Sequence, residues 1–153
     1  MNIRVDDLTR PEVHALLNEH LAHMHSITPA ESVHALPIEE LRNPDVTFWC
    51  AWEGDELLGC GALKELTPRH GEVKSMRTVR AHLRKGVARA ILVQIMDEAR
   101  RRSYQRLSLE TGSMVEFQPA VRLYASFGFT SCPPFGDYIE DPNSLFMTKS
   151  LER

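Results

Sequence analysis

The sequence predicts an α+β fold, a mixed α/β sheet with a single parallel crossover. Three observations carry this. Two strand-like runs, Val46–Glu53 and Leu57–Leu66, flank the turn Glu53-Gly54-Asp55-Glu56 and read as an antiparallel hairpin. The most regular helical pattern of the chain follows directly on a third strand-like run, Glu72–Val79. A further strand-like run, Arg106–Glu110, follows that helix, and a strand–helix–strand order of this kind crosses over to a parallel neighbour. The expectation is a twisted, mostly antiparallel sheet of about six or seven strands with one parallel pair, flanked by about four helices.

The elements follow in order. Asn2–Val5 is a short first strand, and Pro11 opens a helix carrying Val13, Leu16, Leu17, Leu21 and Met24 at helical spacing. Pro29 to Pro37 is a connection, and Ile38–Arg42 can form one or two turns. After the hairpin, Pro68–Gly71 turns the chain into the third strand of a meander. The central helix, Ala90–Arg102 with its start in the preceding basic turn, sets Ala88, Ile91, Leu92, Ile95 and Ala99 on one face. Asp97–Arg101 and Glu98–Arg102 pair on the other. Pro119 starts a last helix with Ala120, Leu123, Tyr124 and Phe127 inward and Gly128 as its stop. Phe129–Cys132 and Leu145–Leu151 close the sheet.

Composition narrows the function. At 153 residues the chain is read as one domain, 1–153, large enough for a core without staples. Its net charge of −3 argues against a general nucleic-acid binder. The start Met1-Asn2-Ile3-Arg4-Val5-Asp6 turns polar at once, so no signal-peptide core or membrane segment is expected. Cys50, Cys60 and Cys132 are odd in number and widely spaced, as reduced thiols of a cytoplasmic protein would be. His14, His20, His23 and His25 lack a carboxylate or cysteine to complete a ligand set, and no metal is expected.

The stretch His82-Leu83-Arg84-Lys85-Gly86-Val87-Ala88-Arg89 carries the functional signal. It sets a basic, glycine-bearing turn at a helix start, where unpaired backbone N–H groups and partial positive charge favour an anion, phosphate above all. Gly86 lets backbone approach the ligand closely. The wording is neither a Walker A loop nor G-x-G-x-x-G, which points away from ATP, GTP and NAD. Arg84, Lys85 and Arg89 would neighbour the phosphates.

These residues resemble the GNAT superfamily of acetyl-CoA-dependent N-acetyltransferases. Its acyl-CoA signature, Gln/Arg-x-x-Gly-x-Gly/Ala, is similar to Leu83-Arg84-Lys85-Gly86-Val87-Ala88; Gly86 and Ala88 match, and Leu83 departs. Lys74-Ser75-Met76-Arg77-Thr78-Val79 resembles the family's fourth strand, and Ala120-Val121-Arg122-Leu123-Tyr124 with Gly128-Phe129 its A-x-x-L-Y…G-F segment. Phe117 stands where an Asn is usual.

The resemblance implies an N-acetyltransferase moving acetyl from acetyl-CoA to a primary amine by direct transfer in a ternary complex. Its alternative is a weakly active or inactive CoA-binding module. It further implies that the backbone of Met76, Arg77 and Thr78 pairs with the pantetheine arm, with Ala120 beside it. Tyr124 would be the acid that protonates the leaving thiolate. Glu72, at the strand start beside the acyl site, is the leading candidate base, and Glu110 could orient the amine. His23 and His34 are candidate acceptor contacts. The expected partners are a small-molecule or peptide amine, with a second copy of the chain as a further candidate, and neither nucleic acid nor membrane.

Overall fold

The computed structural model describes residues 1–151. Seven strands form one open sheet: β1 (Asn2–Val5), β2 (Val46–Glu53), β3 (Glu56–Thr67), β4 (His70–Thr78), β5 (Arg106–Gly112), β6 (Thr130–Ser131) and β7 (Ser144–Ser150). Their spatial order is β1-β2-β3-β4-β5-β7-β6. Every neighbouring pair is antiparallel except β4 with β5, which is parallel. Four helices accompany the sheet: α1 (Pro11–Ile27), the single turn α2 (Ile38–Leu41), α3 (Val87–Arg101) and α4 (Gln118–Ser126). No helix among the described residues is long and apolar enough to cross a membrane.

The sheet has a core on each face. On one, α3 buries Val87, Ile91, Leu92, Ile95, Met96 and Ala99 against Trp49, Ala51, Leu58, Leu63, Val73, Leu107 and Leu109, with Tyr124 of α4 joining them. In β2 and β5 these are alternate residues, as a pleated surface with one face per core requires, while in β3 an irregularity opposite Ala51 and Trp52 puts Leu58 on the same face as Leu63. On the other, Val13, Leu16 and Leu17 of α1 pack with Leu41, Phe48, Cys50, Trp52, Cys60 and Ala62. Leu21 and Met24, expected to share the inner face of α1, are only half-buried, because the C-terminal half of that helix runs beyond the core.

Two local expectations shift. The turn before β4 is confined to Pro68 and Arg69, and Gly71 lies inside the strand. It is a close-approach glycine: a Cβ there would come within 2.8–2.9 Å of the Tyr104 ring and Leu63. On α3, Glu98 pairs with both Arg101 and Arg102, and Asp97 faces Arg100 rather than Arg101.

Candidate active site

The site originates where the two parallel strands part. The β4–β5 ladder covers His70–Val73 against Arg106–Leu109 and stops there. Beyond it, β4 still pairs with β3 through Arg77 and Thr78, and β5 with β7 through Glu110 to Gly112. A gap therefore opens between Lys74–Thr78 and Glu110–Gly112, with backbone hydrogen-bonding groups of β4 turned to it. Unpaired strand edges of this kind seek a partner.

A β-bulge shapes the open edge. Cys60 pairs with Arg77 and Ala62 with Lys74, so Ser75 and Met76 together face Gly61. Ser75 takes up the extra length with φ +56. The bulge resets the strand's alternation. Met76 drops towards α3, where a Cβ on Gly61 would meet its Sδ and Ile91 at 2.6 Å. Lys74 and Arg77, three residues apart, turn to the α1 side: Arg77 bonds Glu19 of α1 at 2.8 Å, and Lys74 bonds Glu72 at 3.2 Å.

The resulting cleft is open to solvent, with a cavity volume of about 210 Å³. Its walls include Lys74–Arg77, Glu110–Gly112, Ala120 and Tyr124, and, from the other side, His20, His23, Thr28 and His34. Tyr124 is almost fully buried, yet its hydroxyl forms no hydrogen bond with the protein. Burial raises its pKa above the ordinary phenol value, so it stays protonated. The Glu110 carboxyl, also on the cleft wall, is in no ion pair among the described residues and has Ser144 as its hydrogen-bonding neighbour. Desolvation pushes its pKa up to about 6, against the smaller opposing pull of Ser144 and Lys74.

Glu72 has different surroundings. It is 3% exposed, does not line the cleft, and is engaged from two sides. The Tyr138 hydroxyl donates to it at 2.6 Å and Lys74 at 3.2 Å, while Lys74 also reaches the Tyr138 oxygen at 2.9 Å. Tyr138 comes from the loop between β6 and β7, and packs edge-on against His34. That loop is fastened to the segment after α1 by Ser32, which donates to Asp141 at 2.5 Å. Lys74 and Tyr138 were invisible as site residues in the sequence, since the Tyr138–Glu72 contact spans 66 positions.

Phe117 explains its own departure from the family pattern. Its ring lies where a Cβ of Gly112 would be, at 2.2 Å, so aromatic and glycine fit as a pair and jointly wall the cleft.

At the start of α3, Gly86 adopts φ +81 and Arg84 φ +65. No side chain caps the helix. Its first backbone bond runs from the Ala90 amide to the Gly86 carbonyl, and the amides from Arg84 to Arg89 meet no acceptor among the described residues. Space beyond Gly86 is empty to 4 Å. Leu83 to Gly86 are exposed. The basic side chains differ in occupation. Arg84 is free, Lys85 approaches His82 at 3.1 Å, and Arg89 lies over the Phe127 ring at 4.9 Å. His23 and His34 both reach the cleft, with His20 beside them.

Comparison with known proteins agrees with this geometry. Residues 11–129 match the acetyltransferase (GNAT) family. The chain is 64% identical over 151 residues to a Bacillus subtilis (strain 168) protein named as the uncharacterised N-acetyltransferase YsnE, covering 99% of this chain and 100% of that one. A Klebsiella pneumoniae structure assigned as an acyl-CoA N-acyltransferase superposes with a TM-score of 0.79 at 26% identity, over 99% of this chain and 97% of that one. A Bacillus subtilis acetyltransferase solved in complex with CoA has the same fold, with a TM-score of 0.73 at 18% identity and 99% of each chain covered. With the uncapped helix start, the parted strands and the tyrosine between them, these matches assign the chain to the GNAT acetyltransferase family, as an N-acetyltransferase.

Proposed function

We propose that the protein transfers the acetyl group of acetyl-CoA to the primary amine of a small acceptor, directly and within a ternary complex. The observation that carries this is the placing of the buried Tyr124 hydroxyl and the desolvated Glu110 carboxyl on the walls of one cleft, beside the free edge of β4. The open amides from Arg84 to Arg89 suit a diphosphate. The edge Met76–Thr78 suits the amide groups of a pantetheine arm running inward to the parting, past Ala120.

Each residue then has a defined task. Glu110 takes a proton from the amine as its nitrogen attacks the thioester carbonyl carbon; with a pKa of about 6 it is mostly ionised at neutral pH. A backbone N–H of the bulged edge donates to the oxyanion that forms. When the carbon–sulfur bond breaks, Tyr124 gives its proton to the departing thiolate. Glu72, held by Tyr138 and Lys74, acts as their anchor rather than as the base. An acyl-enzyme is disfavoured, because burial pushes the Cys60 thiol up to about 12 and raises that of Cys50 still further.

The test is Tyr124→Phe, with CoA release followed over a panel of amines. We expect kcat to fall about 100-fold with acetyl-CoA affinity unchanged. Unaltered kcat in this variant, or silence of the wild type across the panel, would overturn the reading.

A further inference from the structure

The half of the cleft away from Tyr124 holds buried polar atoms that nothing in the protein satisfies. Among the described residues, Nδ1 of His20, Oγ1 of Thr28, Oγ of Ser75 and Nε of Arg77 are all shielded from solvent and without a hydrogen-bond partner, and all four residues line the cleft. Each such atom costs roughly 1–3 kcal/mol unless a ligand or ordered water completes it. Native interiors keep few of them, so four around one opening is a concentration that calls for an occupant.

Their chemistry says which kind. The Arg77 Nε–H can only donate. The two hydroxyls can donate, and His20 is uncharged: its pKa is lowered to about 4 by burial and by the adjacent Arg77 and His23. The guanidinium is positive, and its one ion pair is with Glu19 at the rim, whose side chain is 54% exposed, through Nη2. Its Nε–H is therefore left without a partner. The bulge at Ser75 is what turns Arg77 to this side of β4. Across the gap, Glu110 is in no ion pair among the described residues, and Lys74 acts on it only through space. The two walls thus differ in sign: one is short of a positive group, the other offers hydrogen-bond donors around a positive one.

We infer that the acceptor carries a carboxylate as well as its amine, as amino acids do, and that Arg77, assisted by Ser75, Thr28 and His20, receives that carboxylate while the amine faces Glu110. The inference rests on the amine-transfer reading above and names its substrate class. Lys74, the other cation on the same face of β4, is already neutralised by Glu72 and bound to Tyr138, which leaves Arg77 as the side chain with donor capacity to spare.

The experiment compares CoA release for matched pairs of acceptors, each an amino acid and the amine left by removing its carboxyl group. We expect kcat/KM to favour the carboxylate-bearing member by about tenfold or more. Arg77→Met should bring the two within about threefold by weakening only the amino acid. Glu19→Gln removes the same surface ion pair but keeps the guanidinium, and should retain the preference, which separates recognition from loss of the α1–β4 contact. Arg77→Lys replaces the Met variant if that one does not fold, with the same direction expected. Equal use of both members by the wild type, or a preference that survives at position 77 substituted, overturns the inference. If no amine of either series releases CoA, the transfer reading itself fails. Thermal stabilisation by N-acetyl amino acids then decides the inference: a shift lost in Arg77→Met upholds it, and no shift in the wild type ends it.

Discussion

Two neighbouring surfaces of the molecule are built by different means. The one proposed for the cofactor is made of backbone: an uncapped helix start from Arg84 to Arg89 and a strand edge left open by the end of the β4–β5 ladder. The one proposed for the acceptor, the cleft, is made of side chains drawn from four separated segments, α1, the stretch 28–35, β4 and the loop before β7. Backbone donors exist whatever the residue, so the first surface tolerates changes such as Leu83. Side-chain surfaces are specific to one ligand chemistry and change with single substitutions. The contrast explains how one scaffold can hold a constant donor and serve varied acceptors.

Predictions can break this division or sharpen it. The largest effects belong at the centre, where both sides meet. Beyond the loss expected for Tyr124→Phe, Glu110→Gln should lower kcat by about 100-fold and remove the rise of activity through pH 6 expected of the wild type. The same substitution should stabilise the fold. The folded pKa of Glu110 lies above its unfolded value of about 4.5, so folded protein binds more protons and stability falls as pH rises through about 4.5 to 6. At pH 7 the glutamine variant should gain about 1–2 kcal/mol, read by urea titration. An activity loss with no gain in stability would mean that Glu110 is not the desolvated base described here.

Next is Gly61→Ala, which sets a methyl group against Met76 and Ile91 at 2.6 Å. It should cost about 2 kcal/mol and distort the bulge, so catalysis and stability fall together. Tyr138→Phe should cost about 1–2 kcal/mol by leaving buried Glu72 and Lys74 short of a partner, with acetyl-CoA affinity unchanged. An altered cofactor affinity there would blur the proposed division. The smallest is Gly86→Ala: nothing would touch the new Cβ, but φ +81 is strained for alanine, by about 1 kcal/mol. Acetyl-CoA affinity should weaken severalfold by calorimetry, with the preference among acceptors unmoved.

The same division governs what could be read from the chain. The hairpin, the α3 face and the basic turn were legible because each is written in local spacing and in glycine chemistry. The parallel pair followed from element order alone. The bulge was not legible: Ser75 is no usual left-handed residue, and only its pairing opposite Gly61 reveals the extra position. Gly71 reads as a turn residue until Tyr104 is seen packed on it. The ranking of Glu72 above Glu110 rested on strand position. What separates the two carboxyls is the reach of Tyr138 from 66 residues away, which local pattern does not encode. Phe117 looked like a loss until its ring was found over Gly112.

Among the described residues, the four-residue parallel ladder from His70 to Val73 is the strand pairing that joins the β1–β4 half of the sheet to the β5–β7 half. Away from that seam, as with the covers of a book beyond its spine, the halves are joined by side chains, those under α3 and the Tyr138–Glu72 contact among them. Any molecule seated between them braces both at once. Deuterium uptake at the seam amides is therefore a sensitive gauge of occupancy, reporting from the spine a guest held between the pages.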